Sequence, residues 1–220
     1  IEAGMHRFEW DLRYPAATPI PGMFMRGASP EFGPFVLPST YRVRLRANGQ
    51  TVSQSLTVEL DPRLSGVTPA DLETQLELAL RVRDRTSEAH EAVLATRRIK
   101  AAMKELDQTT SNRGITASAE VLATELTTVE EEIYQYRLAS RQDLFHHPIK
   151  LNNRLAGLER VIESGEARPT DQSYEMFTEL ASELDRILSR LDALLQRDLA
   201  EFNQLLAEQE LETIDATRKR

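Results

Sequence analysis

The 220-residue chain is 40% apolar and 28% charged, the mixture of a folded globular protein, and no apolar run reaches the roughly 20 residues that would cross a bilayer. Its net charge of −8 argues against a general nucleic-acid binder, whose phosphate contacts need clustered Lys and Arg. The absence of cysteine removes a disulfide scaffold, a thiol nucleophile and cysteine-ligated zinc. The first residues lack a basic-then-apolar leader, and the start at Ile1 rather than at Met leads us to expect natural residues upstream.

Charge marks a boundary. Residues 1–66 carry seven basic and six acidic residues, whereas 67–220 carry 20 basic and 29 acidic. Most prolines and glycines also fall in the first part, while the second consists of long runs of good helix formers. We therefore expect an α+β chain. Residues 1–66 would form a β-rich, small partial sandwich with a long Pro/Gly loop. Residues 67–220 would form an antiparallel four-helix-type bundle with a short terminal helix.

In chain order, Phe8, Trp10, Leu12 and Tyr14 alternate with Glu9, Asp11 and Arg13, which predicts a strand with one buried face. Pro15 to Pro38 has no periodicity. It holds Ile20, Met23, Phe24, Met25, Phe32 and Phe35 among prolines and glycines, and loops of this length are uncommon unless something orders them. These side chains either tuck against the chain's own core or form a docking surface, because Met and Phe on a Pro-stiffened loop offer apolar area at modest entropic cost. Tyr41, Val43 and Leu45 then alternate with Arg42, Arg44 and Arg46. Asn48-Gly49 supplies the left-handed backbone of a tight hairpin turn, and Leu56, Val58 and Leu60 alternate again. The three arginines read as edge protection or salt-bridge partners rather than as a nucleic-acid surface.

Thr68-Pro69-Ala70-Asp71 has the composition of a helix start and opens a segment free of breakers to about Asp107. Its apolar stripe runs through Leu72, Leu76, Leu80, Val82, Ala89, Val93, Ile99, Met103 and Leu106. A second helix is expected from about Thr116 to Gln142, presenting Leu122, Leu126, Val129, Ile133 and Tyr136. A short helix from Leu151 to Ser164 closes at Gly165. The fourth opens at Thr170 with Phe177, Leu180, Leu184, Ile187, Leu191 and Leu194 on one stripe, widened by Ala181, Leu188 and Leu195. Asp198 is expected to cap a final short helix through Phe202, Leu205 and Leu206, and Arg218-Lys219-Arg220 to fray.

Chemistry-bearing patterns are sparse. His146-His147 with Asp143, and the remote His6 and His90, match no strong metal-ligand spacing, and a helix terminus before Pro148 explains them as well. Glu130-Glu131-Glu132 and the pair Glu208 and Glu210 read as solvated helix faces rather than acid–base pairs. No glycine-rich phosphate loop or nucleophile elbow occurs. We assign no catalytic, cofactor-binding or metal-binding residue. Partner binding is assigned to Ile20, Met23, Phe24, Met25, Phe32 and Phe35.

The runs HRFEWDLRYP, PGMF, GPFVLPSTYRVRL, TVELDPR, HHPIKLNNRLAGL and ARPTDQSYEMFTEL resemble the carboxy-terminal part of bacterial sortilin-like β-propeller proteins, often labelled glycosyl hydrolases with BNR repeats. The resemblance implies an immunoglobulin-like or fibronectin-like sandwich portion followed by helices, and an extracytoplasmic location, periplasmic or secreted. The Asp-box repeats of the propeller are absent here, so the hydrolase label does not carry over. The expectation is a non-catalytic structural or interaction module docked on other protein subunits of a larger extracytoplasmic or membrane-bound assembly. A carbohydrate- or peptide-binding module, or the tail of a secreted glycosidase-like propeller protein, is the alternative.

Overall fold

The computed structural model describes residues 4–109, 112–138 and 140–216; the fraying expected at Arg218–Arg220 lies outside them. Five α-helices are present among the described residues: α1 Pro69–Thr109, α2 Arg113–Ile133, α3 Leu151–Ile162, α4 Asp171–Gln196 and α5 Asp198–Glu208. A 3-10 turn spans Arg141–Phe145. The two strands, β1 Ser39–Ala47 and β2 Gln50–Val58, form one antiparallel hairpin.

The helices share one core. α1 starts where the sequence predicts, because Asp71 N–H donates to Thr68 Oγ1 at 3.2 Å while Asp71 Oδ2 accepts from Thr68 N–H at 3.1 Å. It packs against α2, α3 and α4, so it is buried on several sides rather than along one stripe. Leu78, Ala79, Val82, Ala89, Val93 and Ile99 are buried, whereas Leu76 and Leu80, expected on the stripe, are only half-buried. α4 has the stripe its sequence predicts: Phe177, Leu180, Leu184, Ile187, Leu191 and Leu194 are buried, with Ala181, Leu188 and Leu195 packed at its margin. Thr170 caps it by accepting from Ser173 N–H. Each such side chain, fully enclosed, contributes about 1.5–3 kcal/mol.

Three helix expectations need correction. α2 starts at Arg113, capped by Asn112 Oδ1, and ends at Ile133, well short of Gln142. From Tyr134 the backbone is extended and turns to deliver α3, with Tyr134 and Leu138 buried and Gln135 Nε2 donating to Pro148 O at 3.1 Å. Tyr136, expected on the helical stripe, is therefore exposed, because the helical period no longer governs it. α5 has Arg197 at its cap position and Asp198 already within its first turn, so Asp198 is not the cap, and Leu205 is exposed beside buried Phe202 and Leu206. At the end of α3 Gly165 has no left-handed backbone; its carbonyl instead accepts from Gln75 Nε2 at 2.6 Å.

The hairpin has the predicted register. Ala47 pairs with Gln50, Leu45 with Val52, Val43 with Gln54 and Tyr41 with Leu56. Asn48 (φ 50) and Gly49 (φ 75) make the two-residue turn. No β-sandwich forms among the described residues. The strand expected at Phe8–Tyr14 is absent: Leu12 takes a left-handed φ of 60, Arg13 N–H returns to Asp11 Oδ1, and Phe8 stays 88% exposed. The backbone turns there instead of extending, and its only ladder is the isolated bridge Arg13↔Phe35. Neither strand packs against a helix, and only the hairpin base at Val58 faces Leu72 and Leu76, across a cavity of about 260 Å³.

Candidate interaction surface

The Arg13↔Phe35 bridge closes the Pro15–Pro38 loop at its neck. Tyr14 N–H donates to Pro34 O at 2.8 Å and Val36 N–H to Leu12 O at 2.9 Å. Gly33 makes the neck possible, since a Cβ there would lie 2.1 Å from Tyr14 O and 2.5 Å from Pro15 O. A ring of 15–33 with joined ends behaves as a compact unit, and the helices then hold that unit in place.

α1 and α3 supply the polar side chains that do so. Thr18 N–H donates to Ser87 Oγ at 3.2 Å and Thr18 Oγ1 to Glu91 Oε1 at 3.1 Å. His90, fully buried, stands 2.6 Å by Nδ1 from Thr18 O. A carbonyl only accepts, so Nδ1 carries the proton, and Nε2 accepts from Asn152 Nδ2 at 3.2 Å. Burial holds the His90 imidazole below its ordinary pKa, the hydrogen bond to Thr18 opposing in part. Asn153 exchanges two bonds with the backbone of Arg26, at 2.8 and 3.0 Å. Farther along, Arg83 reaches Pro15 O, Arg160 reaches Gly27 O, and Glu163 accepts from Phe35 N–H at 2.8 Å and from Arg13 Nη1 at 3.2 Å.

Beneath this seam lies Glu159, 6% exposed. Burial, and secondarily the Glu163 charge, pushes its carboxyl up to about 8, against the opposing pull of Arg83 and Arg13. It is therefore protonated at neutral pH. Both oxygens of Glu163 are committed to Arg13 and Phe35, so this carboxylate fastens the neck.

The six residues assigned to partner binding divide. Ile20 is 3% exposed and belongs to the helical core, and Met23 packs against that core. Phe24 and Met25 are half-buried. Only Phe32 and Phe35, at 52% and 51%, are open to solvent. The Arg13 guanidinium lies 3.4 Å from the Phe35 ring centroid and 5.7 Å from that of Phe32. These rings, with Glu159, Arg160 and Glu163, line a cavity of about 450 Å³. Trp10 meets Tyr41 edge-on at 5.3 Å and donates Nε1–H to Arg13 O, which fixes it as a packing residue and not an open stacking platform.

A further exposed apolar surface lies on the hairpin, the sheet beside the loop, where the lack of preceding strands leads us to expect an open edge or exposed apolar area. On the hairpin face opposite the arginines, Val43, Leu45, Val52 and Leu56 are all exposed, Leu45 by 63%. Alternation in the sequence implied one buried face, but nothing in the described chain covers it. Elsewhere, Glu130 is not a solvated acid: it is buried and bonded to Arg97 Nε and Lys100 Nζ, both at 2.6 Å. Among the described residues no group of three or more His, Asp or Glu converges as metal ligands. Among the described residues no helix is long and apolar enough to cross a membrane. Comparison with protein-family models, with curated proteins and with solved structures gives no match.

Proposed function

We propose that this chain is a non-catalytic structural or protein-interaction module, an accessory subunit or domain docked on a larger extracytoplasmic or membrane-associated assembly. The supporting observation is the hairpin, whose apolar face of Val43, Leu45, Val52 and Leu56 is exposed while both strand edges are open. Natural proteins rarely leave such a face and such edges uncovered, and binding is the ordinary way to cover them. Phe35 lines the cavity at the hairpin base and shares a second cavity with Phe32, both exposed on a loop that hydrogen bonds from α1 and α3 hold in place. In this reading the helices are an antiparallel bundle serving as a platform. The extracytoplasmic location rests on the resemblance to sortilin-like proteins. The test is purification of the full chain from its source under mild conditions, with and without Val43→Ser and Leu45→Ser together. We expect the substituted chain to lose a stoichiometric protein partner while its helical melt is unchanged, because neither strand touches a helix. An unchanged complex would contradict the proposal.

A further inference from the structure

We propose that the free edge of β1 receives an extended segment of a partner protein in which apolar and acidic residues alternate. The inference rests on the interaction-module reading and specifies the partner's chemistry. A two-residue turn closes on a hydrogen-bonded pair, here Ala47 with Gln50, and such pairs alternate along an antiparallel ladder. Ala47, Leu45, Val43 and Tyr41 therefore turn their N–H and C=O groups inward to β2. Arg46, Arg44, Arg42 and Thr40 turn theirs outward, to the open edge. The outward backbone thus belongs to the same residues whose side chains line the charged face.

That face has nothing to answer it within the hairpin. Residues 39–58 contain three arginines and no Asp or Glu. Across the ladder Arg42, Arg44 and Arg46 face Ser55, Ser53 and Thr51, all exposed. An added strand pairing with β1 places alternate side chains beside the arginines and the others beside Val43 and Leu45. Carboxylates at the first set gain charge-assisted contacts with guanidinium groups, and apolar residues at the second continue the exposed apolar face. A second copy of this chain joined β1 to β1 would bring two arginine rows onto one face, which is repulsive. The other edge, carried by Thr51, Ser53, Ser55 and Thr57, offers backbone pairing without that charge selection.

The test uses the full chain and a nine-residue labelled peptide of alternating Val and Glu, with a Val/Lys peptide as its opposite, read by fluorescence anisotropy at low and high salt. We expect saturable binding of the Val/Glu peptide, weakened by salt, and new amide-exchange protection at Thr40, Arg42, Arg44 and Arg46. Arg42→Glu with Arg44→Glu should weaken it by at least about tenfold and transfer preference to the Val/Lys peptide. Ser53→Thr, a neutral change on the opposite edge, should leave it unchanged. Both sites are exposed on a ribbon outside the helical core, so the melt serves as a folding control. Protection on the Thr51–Thr57 row, equal binding by both peptides, displacement by a single-stranded oligonucleotide, or hairpin-mediated dimerisation in sedimentation would each overturn the proposal. If Val43→Ser with Leu45→Ser abolishes the natural complex but the arginine reversal does not, the edge chemistry fails and the module reading survives. If neither does, both fail.

Discussion

Replacing Glu159 with Gln should stabilise the protein in alkali and leave it nearly unchanged in mild acid. The carboxyl is 6% exposed and is pushed up to about 8 from an ordinary 4.5, first by burial and then by the Glu163 charge. The native state holds this proton over a range in which the unfolded state has released it. Its stabilising contribution is therefore complete below about 4.5 and is lost as pH rises towards 8. Each pH unit in that window is worth about 1.4 kcal/mol, so the whole span is at most on the order of 5 kcal/mol, and local relaxation around the charge lowers it. Gln keeps the size and the neutral polarity of the protonated acid without titrating. Urea melts of parent and Glu159→Gln at pH 5, 7 and 9 should show a stability difference that widens in favour of the variant by a few kcal/mol. Parallel pH profiles, or a variant less stable at pH 9, would refute the burial argument.

Gly33→Ala should destabilise by at least about 2 kcal/mol in a urea melt, because its Cβ meets backbone oxygen atoms that cannot retreat without opening the bridge. Val36 N–H should lose exchange protection in the same variant. Gly49→Val should abolish amide protection along both strands, since φ at 75 resists a β-branched residue, yet leave the main thermal transition in place. His90 is buried neutral with a lowered pKa, so the native state refuses a proton that the unfolded state accepts, and stability should fall as pH drops below about 6.5. NMR titration should find its imidazole protonating only below the ordinary histidine range.

What the sequence shows about the fold follows from the range of the forces involved. Thr68, Thr170 and the Asn48-Gly49 turn act on neighbours within a few residues, so those element starts and the hairpin register can be read directly. The α4 stripe is equally legible because one face meets one core. α1 is not, because three helices surround it. The alternation of Phe8 to Tyr14 mimics a strand, but Leu12 at positive φ and the neck through Gly33 depend on contacts far along the chain. Likewise, Ile20 and Met23 look like candidate anchors until His90, Asn152 and Asn153 draw the loop onto α1 and α3. One signal was available. A histidine between apolar Ala89 and Val93, and two adjacent asparagines opening a helix, are polar groups at core positions, and such groups need partners.

The most direct measurement of the central claim is site-specific photocross-linking of the full chain in its source cells. The cross-linker would stand in turn at Leu45 on the hairpin, at Phe35 on the loop, and at exposed Val121, which lines the α2–α5 groove of about 340 Å³. The hairpin and loop positions should capture one and the same protein, with Val121 capturing none. Capture at Val121 alone would place the contact on the helical face and contradict the account.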